Sequence, residues 1–236
     1  MNQRNQVIEV MRENGGFATL GFLNQKVDVR EWKTKTPFAS IRRIVQDENY
    51  FFRIRPGLWA LNDCREEVLR VFKIERLRKG NAEFDHSYYQ GLLLEIGNIR
   101  GFQTYVPAQD KNRHFLSFPL FKISSTTAIY EFSYPEIVNR AKSIDVIWFN
   151  ERRLPQSFFE VEHSTDIQNS LLKFNDLRDF NANFFIISAI ERKREFDKKI
   201  RYSAFDSIVN RVKFFDYESL STLHSKTLEI NSINML

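Results

Sequence analysis

The most constraining stretch of this chain is a pair of apolar runs that carry acids. Ile144-Asp145-Val146-Ile147-Trp148-Phe149 is followed, after a short connector, by Ser157-Phe158-Phe159-Glu160-Val161-Glu162-His163. β-Branched and aromatic residues at this density favour strands, and the short gap makes the two runs neighbours in one hairpin. Period-two alternation puts Glu160 and Glu162 on one face of the second strand, with Phe159, Val161 and His163 on the other. Asp145, fifteen positions before Glu160 on the first strand, can lie beside it. An ionised carboxylate among apolar side chains is costly unless something compensates it, and a divalent cation is the obvious compensator.

The charge along the chain is uneven. Up to Gly80 there are 16 Lys and Arg against 10 Asp and Glu, a balance of +6, whereas the remainder has 19 against 20, a balance of −1. A basic front on a near-neutral body with clustered acids suits a protein that grips a polyanion with one part and performs metal chemistry with another. A solvated basic face on an ordinary domain has the same composition. The single cysteine, Cys64, excludes a disulfide framework and a cysteine-based zinc site, so a reducing cytosol is the expected compartment. No apolar run approaches the length that spans a bilayer, and a soluble cytoplasmic protein without a membrane partner is expected.

Within the basic front, Val7, Ile8, Val10 and Met11 lie at helical spacing before Gly15-Gly16, and a second helical pattern runs from Thr19 to Val27. A third begins at Thr36-Pro37, where Thr is a plausible cap and Pro a favoured first residue. It turns Phe38, Ile41, Ile44 and Val45 inward and leaves Ser40, Arg42, Arg43 and Gln46, with Lys35 just before it, on the outer face. Tyr50–Arg55 and Leu58–Leu61 are strand-like around the turn Pro56-Gly57, so Arg53 and Arg55 point the same way and can track a phosphate backbone. Three helices and a hairpin make a winged helix-turn-helix, expected over residues 1–64. Residues 65–80 look like a basic, largely helical linker, and residues 81–236 form a second domain.

That second domain predicts a helix from Asp85 to Ile99, with Glu95 near its end before Gly97 and Gly101, a strand at Phe102–Pro107, and a helix from Tyr134 to Ala141. After the acid-bearing hairpin come a helix over Thr165–Phe180, an apolar buried strand at Asn183–Ala189, a charged helix over Glu191–Ile208, a strand at Val212–Phe215 and a short helix from Glu218. The fold class is α/β, a mixed sheet with helices on both faces, preceded by the winged helix.

Two resemblances extend this reading. Thr36 to Asn62 resembles the winged helix of the HARE-HTH family, most specifically in Ile54-Arg55-Pro56-Gly57-Leu58-Trp59-Ala60-Leu61; that family occurs fused to restriction endonuclease domains. Residues from about 85 to 220 resemble the PD-(D/E)XK nucleases, whose core runs helix, three strands, helix, strand. Asp145 matches the first motif acid, although Ile144 stands where Pro is usual, and Glu160 matches the second. Glu162 occupies the place of the motif Lys, as in members that carry Glu-x-Glu. The run from Phe159 to Thr165 followed by Ser170–Leu177 looks like the restriction-type members.

The resemblance implies that Asp145, Glu160 and the Val161 carbonyl hold Mg²⁺ (Mn²⁺ in substitution) and that Glu162 orients or deprotonates the attacking water. It further implies that Glu95, late on the preceding helix, supplies a further catalytic and metal-binding acid. The expected function is a metal-dependent, site-specific endonuclease of restriction type acting on double-stranded DNA. Cutting both strands together favours a homodimer. The alternatives are a winged-helix regulator with an inactive nuclease-like domain, or a repair or RNA nuclease.

Asp110 sits in a polar loop and reads as solvated. His86, His114 and His224 form no ligand spacing, and His163 falls by strict alternation on the strand face opposite the Glu pair, although a strand end can rotate it toward the site. Lys173 on the following helix can replace the motif Lys, although an exposed helix lysine is more usual, and Gln168 is similarly ambiguous.

Overall fold

The computed structural model describes residues 2–74 and 82–234. Contacts divide the chain into two units: one contains the chain before Ala82 together with the segment from Ser221 onward, and the other runs from Ala82 to Leu220.

The first unit opens with α1 (Gln3–Glu13), β1 (Phe17–Thr19), α2 (Leu20–Lys26) and α3 (Pro37–Ile44). The strands β2 (Phe51–Arg55) and β3 (Leu58–Leu61) and the helix α4 (Arg65–Val71) follow. Asn2 caps α1 by accepting from the Asn5 N–H, and Thr19 caps α2 by accepting from Phe22. Pro37 opens α3 as expected, but the Thr36 side chain makes no capping bond. The three strands form an antiparallel sheet in the order β1-β3-β2. The 3.6-residue spacing delivers Val7, Met11, Leu23, Ile41 and Val45 to a core shared with Phe51. The short β1, absent from the sequence reading, is a three-residue strand with every position buried.

Part of the expected linker belongs to this unit. Val68, Phe72 and Ile74 are buried, and the Phe72 ring meets Phe17 edge-on at 4.8 Å. The rest of that stretch, residues 75–80, lies outside the described residues.

The second unit contains α5 (Ala82–Ile99), β4 (Gln103–Tyr105), the two-residue strands β5 (His114–Phe115) and β6 (Phe118–Pro119), α6 (Leu120–Ile123) and α7 (Pro135–Ala141). It continues through β7 (Val146–Phe149), β8 (Pro155–Glu162), α8 (Ile167–Asp176), β9 (Asn183–Ser188), α9 (Lys193–Lys199) and β10 (Val212–Asp216). The last helix, α10 (Tyr217–Asn234), starts here, and its residues from Ser221 belong with the first unit. The main sheet has the order β10-β9-β8-β7-β4; β8, β9 and β10 are parallel, and β7 and β4 antiparallel. The mixed α/β sheet is the expected one. Its core joins Ile144, Ile147, Phe149 and Phe158 to Leu171 and Phe174 of α8 and to Phe184 and Ile186 of β9. Each fully buried Phe side chain contributes about 1.5–3 kcal/mol of transfer free energy.

Several boundaries differ from expectation for identifiable reasons. The helix α5 ends at Ile99 as expected but starts three residues earlier, and Gly97 lies within it: a Cβ there would sit 2.5 Å from Thr104 and 2.6 Å from Trp148 Nε1, so its absence lets the helix lie close against β4 and β7. Gly91 does the same for Phe115, whose ring would be 2.1 Å from an added Cβ. The charged stretch from Glu191 is one short helix, α9, between two 3₁₀ turns rather than a helix to Ile208. Phe196, Ile200, Phe205 and Ile208 are all buried, and their spacing drifts off a single helical face, so the chain breaks to bury them. The final helix is 18 residues long rather than short. Among the described residues no helix is long and apolar enough to cross a membrane.

Candidate active site

The register of the sheet brings the acids together. Val146 lies opposite Phe159, which places Asp145, the residue before β7, opposite Glu160. Because β7 begins only at Val146, the Val161 N–H faces no ladder partner there, and the Asp145 Oδ2 accepts it at 2.7 Å. Glu160 and Glu162 fall on one face of β8 as period two requires, and Ser170 of α8 reaches both. Asp145, Glu160 and Glu162 line an open cleft of about 540 Å³ with His86, Arg113, His163, Thr165 and Lys173 among its walls.

Each acid has its own partners. Lys173 donates to Glu160 Oε2 at 2.8 Å and Oε1 at 3.0 Å, and also to the Ser143 carbonyl at 3.0 Å. Burial and then the neighbouring Asp145 charge push the Glu160 carboxyl up to about 8, against the pull of Lys173 and Ser170. Burial works against the Lys173 ammonium, but the Glu160 charge and its hydrogen bonds raise it above the usual lysine value. Glu162 accepts from Ser170 and Thr165, and Arg192 Nη1 stands 4.0 Å from its Oε2.

A second cluster abuts Asp145. His86 and Gln90 are four residues apart on α5 and therefore share a face. His86 Nε2 is 3.4 Å from Asp145 Oδ1 and 3.6 Å from Asp110 Oδ2. Burial disfavours its charge, yet the two carboxylates raise the imidazole to about 10. Asp110 is 3% exposed; it receives Gln90 Nε2 at 2.9 Å and Arg113 Nε at 3.2 Å. Burial is the largest influence on its carboxyl and acts upward, but His86 and Gln90 hold it below the ordinary value. Among the described residues, Asp110, Asp145, Glu160 and Glu162 are the buried carboxylates, and all four belong to this one network.

Residues 70–235, well over half the chain, match the family described as the type II restriction enzyme NmeDI C-terminal domain. The chain belongs to that family. Over 153 residues this member of the NmeDI C-terminal family is 26% identical to the type II restriction enzyme NmeDI of Neisseria meningitidis serogroup C, a match that takes in 59% of the chain. It covers 42% of the relative, so the chain spans less than half of that protein's length. No solved structure matches.

In this NmeDI C-terminal family member, Asp145, Glu160, Val161 and Glu162 converge as the sequence indicated, and Lys173 joins them. Glu95 does not: it lies nine residues beyond His86 on α5, about 13 Å along the helix axis, and is not among the residues lining the cleft. Gln168 also stays outside the lining. His163 lines the cleft despite strict alternation, because β8 ends at Glu162, and its Nδ1 pairs with the Tyr217 hydroxyl at 2.7 Å. Asp110 is not solvated, and His86 is not isolated. Both, with Ser170 and Arg192, escaped the sequence reading because their roles arise only when α5, the loop after β4 and α8 meet. The polar pair His86 and Gln90 at helical spacing among apolar residues was the available signal. His114 is exposed, and His224 is buried in the first unit.

In the first unit, Lys35, Arg42, Arg43, Gln46 and Arg53 are exposed and Arg55 is half-buried. Ser40 is buried instead, and its hydroxyl turns back to the Thr36 carbonyl at 3.3 Å. Gln46 lies past the end of α3, and a bulge separates Arg53 from Arg55.

Proposed function

We propose that this chain is a divalent-metal-dependent, site-specific endonuclease of restriction type, with a nuclease core of the PD-(D/E)XK kind and a winged helix that binds duplex DNA. The observation that carries the proposal is the gathering of the buried carboxylates with Lys173 in one network in a chain of a restriction-enzyme family. Asp145 and Glu160, with the Val161 carbonyl, would hold the ion. Their chemistry fits one: burial and the adjacent Asp145 charge hold the Glu160 carboxyl above its ordinary value, and Lys173 offsets only part of that.

When bound, Mg²⁺ or Mn²⁺ polarises a phosphoryl oxygen and acidifies a water. The protein's own groups do the rest. Glu162, oriented by Ser170 and Thr165, accepts the proton of the attacking water. Lys173 brings to Glu160 the ammonium that the motif position, occupied by Glu162, lacks; it faces the charge that develops on the phosphate. Arg192, close to Glu162, adds a cation at the same end of the cleft. The order helix, strand, helix, helix, strand, strand and the exposed Arg42, Arg43 and Arg53 support the duplex-binding role of the first unit. A two-fold dimer is the assembly that cuts both strands in one encounter.

The test is incubation with varied plasmid DNA, including methylated and hydroxymethylated preparations, in Mg²⁺ and then in Ca²⁺. Double-strand cleavage in Mg²⁺ that disappears in Glu160→Ala is expected. Intact DNA on every substrate, or cutting that survives Glu160→Ala, overturns the proposal.

A further inference from the structure

We propose that His86, Asp110 and Asp145 form a site for a transition-metal ion of the Zn²⁺ class, distinct from the all-oxygen position between Asp145 and Glu160. The ligand atoms of the three residues lie within 4.8 Å of one another. The separations of His86 Nε2 from the carboxylates, 3.4 and 3.6 Å, exceed an N–H···O hydrogen bond. They are close to the tetrahedral edge, about 3.4 Å, of ligands that share an ion at Zn–N and Zn–O distances of about 2.0–2.2 Å.

The surroundings are those of a built site. Asp145 is fixed through its other oxygen by the Val161 N–H, which leaves Oδ1 facing His86. Asp110 is oriented by Gln90 and Arg113, the outer partners that ligating carboxylates need. Gln90 supplies a separate observation. It is fully buried and directs its amide into the cluster, donating to Asp110 Oδ2 and to the Asp145 carbonyl, yet its Oε1 has no hydrogen-bond partner among the described residues. A buried acceptor of this kind calls for a donor, such as a water carried by an ion. One imidazole with two carboxylates selects Zn²⁺ and its neighbours over Mg²⁺. Asp145 and His86 line the cleft, which gives the ion a way in.

The test uses the full chain stripped with a chelator and titrated with Co²⁺, then with Zn²⁺. The visible absorption of a four-coordinate Co²⁺ site, displaced by Zn²⁺, is expected. His86→Asn and Asp110→Asn each weaken binding by more than about 100-fold, beyond the 10–100-fold expected for an outer partner, while Glu160→Gln leaves it unchanged. The chain has four histidines, so nitrogen NMR of the wild-type rings reads the same event without a variant: Zn²⁺ must move His86 Nε2. Absence of Co²⁺ binding at millimolar metal overturns the proposal. Binding that survives His86→Asn and is lost in Glu160→Gln, or an unmoved His86 resonance, does so too. Loss of DNA cleavage with this signal intact would count against the nuclease reading alone.

Discussion

The two units handle charge in opposite ways. In the first, the described Lys, Arg, Asp and Glu side chains all keep contact with solvent, and its ion pairs, such as Arg12 with Asp63, lie at the surface. In the second, four carboxylates are buried, and each is held by lysine, arginine, histidine, hydroxyl or backbone donors. Exposed charge costs little to place and is screened by salt. Buried charge is expensive and persists only where a network or a ligand compensates it. The first pattern suits a surface that meets a polyanion, and the second suits chemistry.

The sharpest way to break this contrast is at Lys173. Lys173→Met should lower the cleavage rate by about 100- to 1,000-fold, the scale of losing one preorganised charge in a water-poor site, while duplex affinity stays as it was. Single-turnover cleavage beside a gel-shift titration separates the two. Stability should change less than for an ordinary severed buried pair, because Glu160, already near 8, can take up a proton when its partner is gone.

Next in size is a steric change far from any charge. Gly97→Val drives a side chain into Trp148 and Thr104 and should cost about 1–3 kcal/mol, the usual range for overpacking, read as a lowered urea midpoint. An unchanged midpoint would mean that α5 is not pinned where His86 and Gln90 require it.

In the first unit, Arg43→Ala or Arg53→Ala should weaken DNA binding by similar factors on every sequence and reduce the salt slope by about one. Cleavage at saturating DNA should be unaffected. A loss confined to one sequence would turn a phosphate contact into base readout. The smallest effect belongs to the exposed pair Arg12–Asp63, whose removal should change stability by less than about 1 kcal/mol after solvent screening. A larger value would show that surface charge in this unit is structurally engaged after all.

Much of this was legible beforehand. The strands with their Phe, Ile and Val runs, the pairing of Asp145 with Glu160 and the alternation of Glu160 with Glu162 all follow from local pattern, because a strand's period is two and its buried face is apolar. What escaped was set by distance in sequence. Asp110 lies in a loop whose residues look solvated, and only the approach of α5, made possible at Gly91 and Gly97, brings His86 and Gln90 against it. Lys173 was legible only as one of two readings, a replacement for the motif Lys or an exposed helix lysine, and the packing of α8 decides between them by turning it toward Glu160. Glu95 followed from resemblance, and the geometry of α5 carries it past the cleft.

The bond from the Val161 N–H to Asp145 has a consequence for how such a site can change over generations. Its donor is main chain, so every residue but proline at position 161 retains it. Position 161 can drift in size and polarity toward whatever its own side of the sheet demands, while the carboxylate stays anchored. The aspartate is thereby insulated from the mutational history of the residue that holds it.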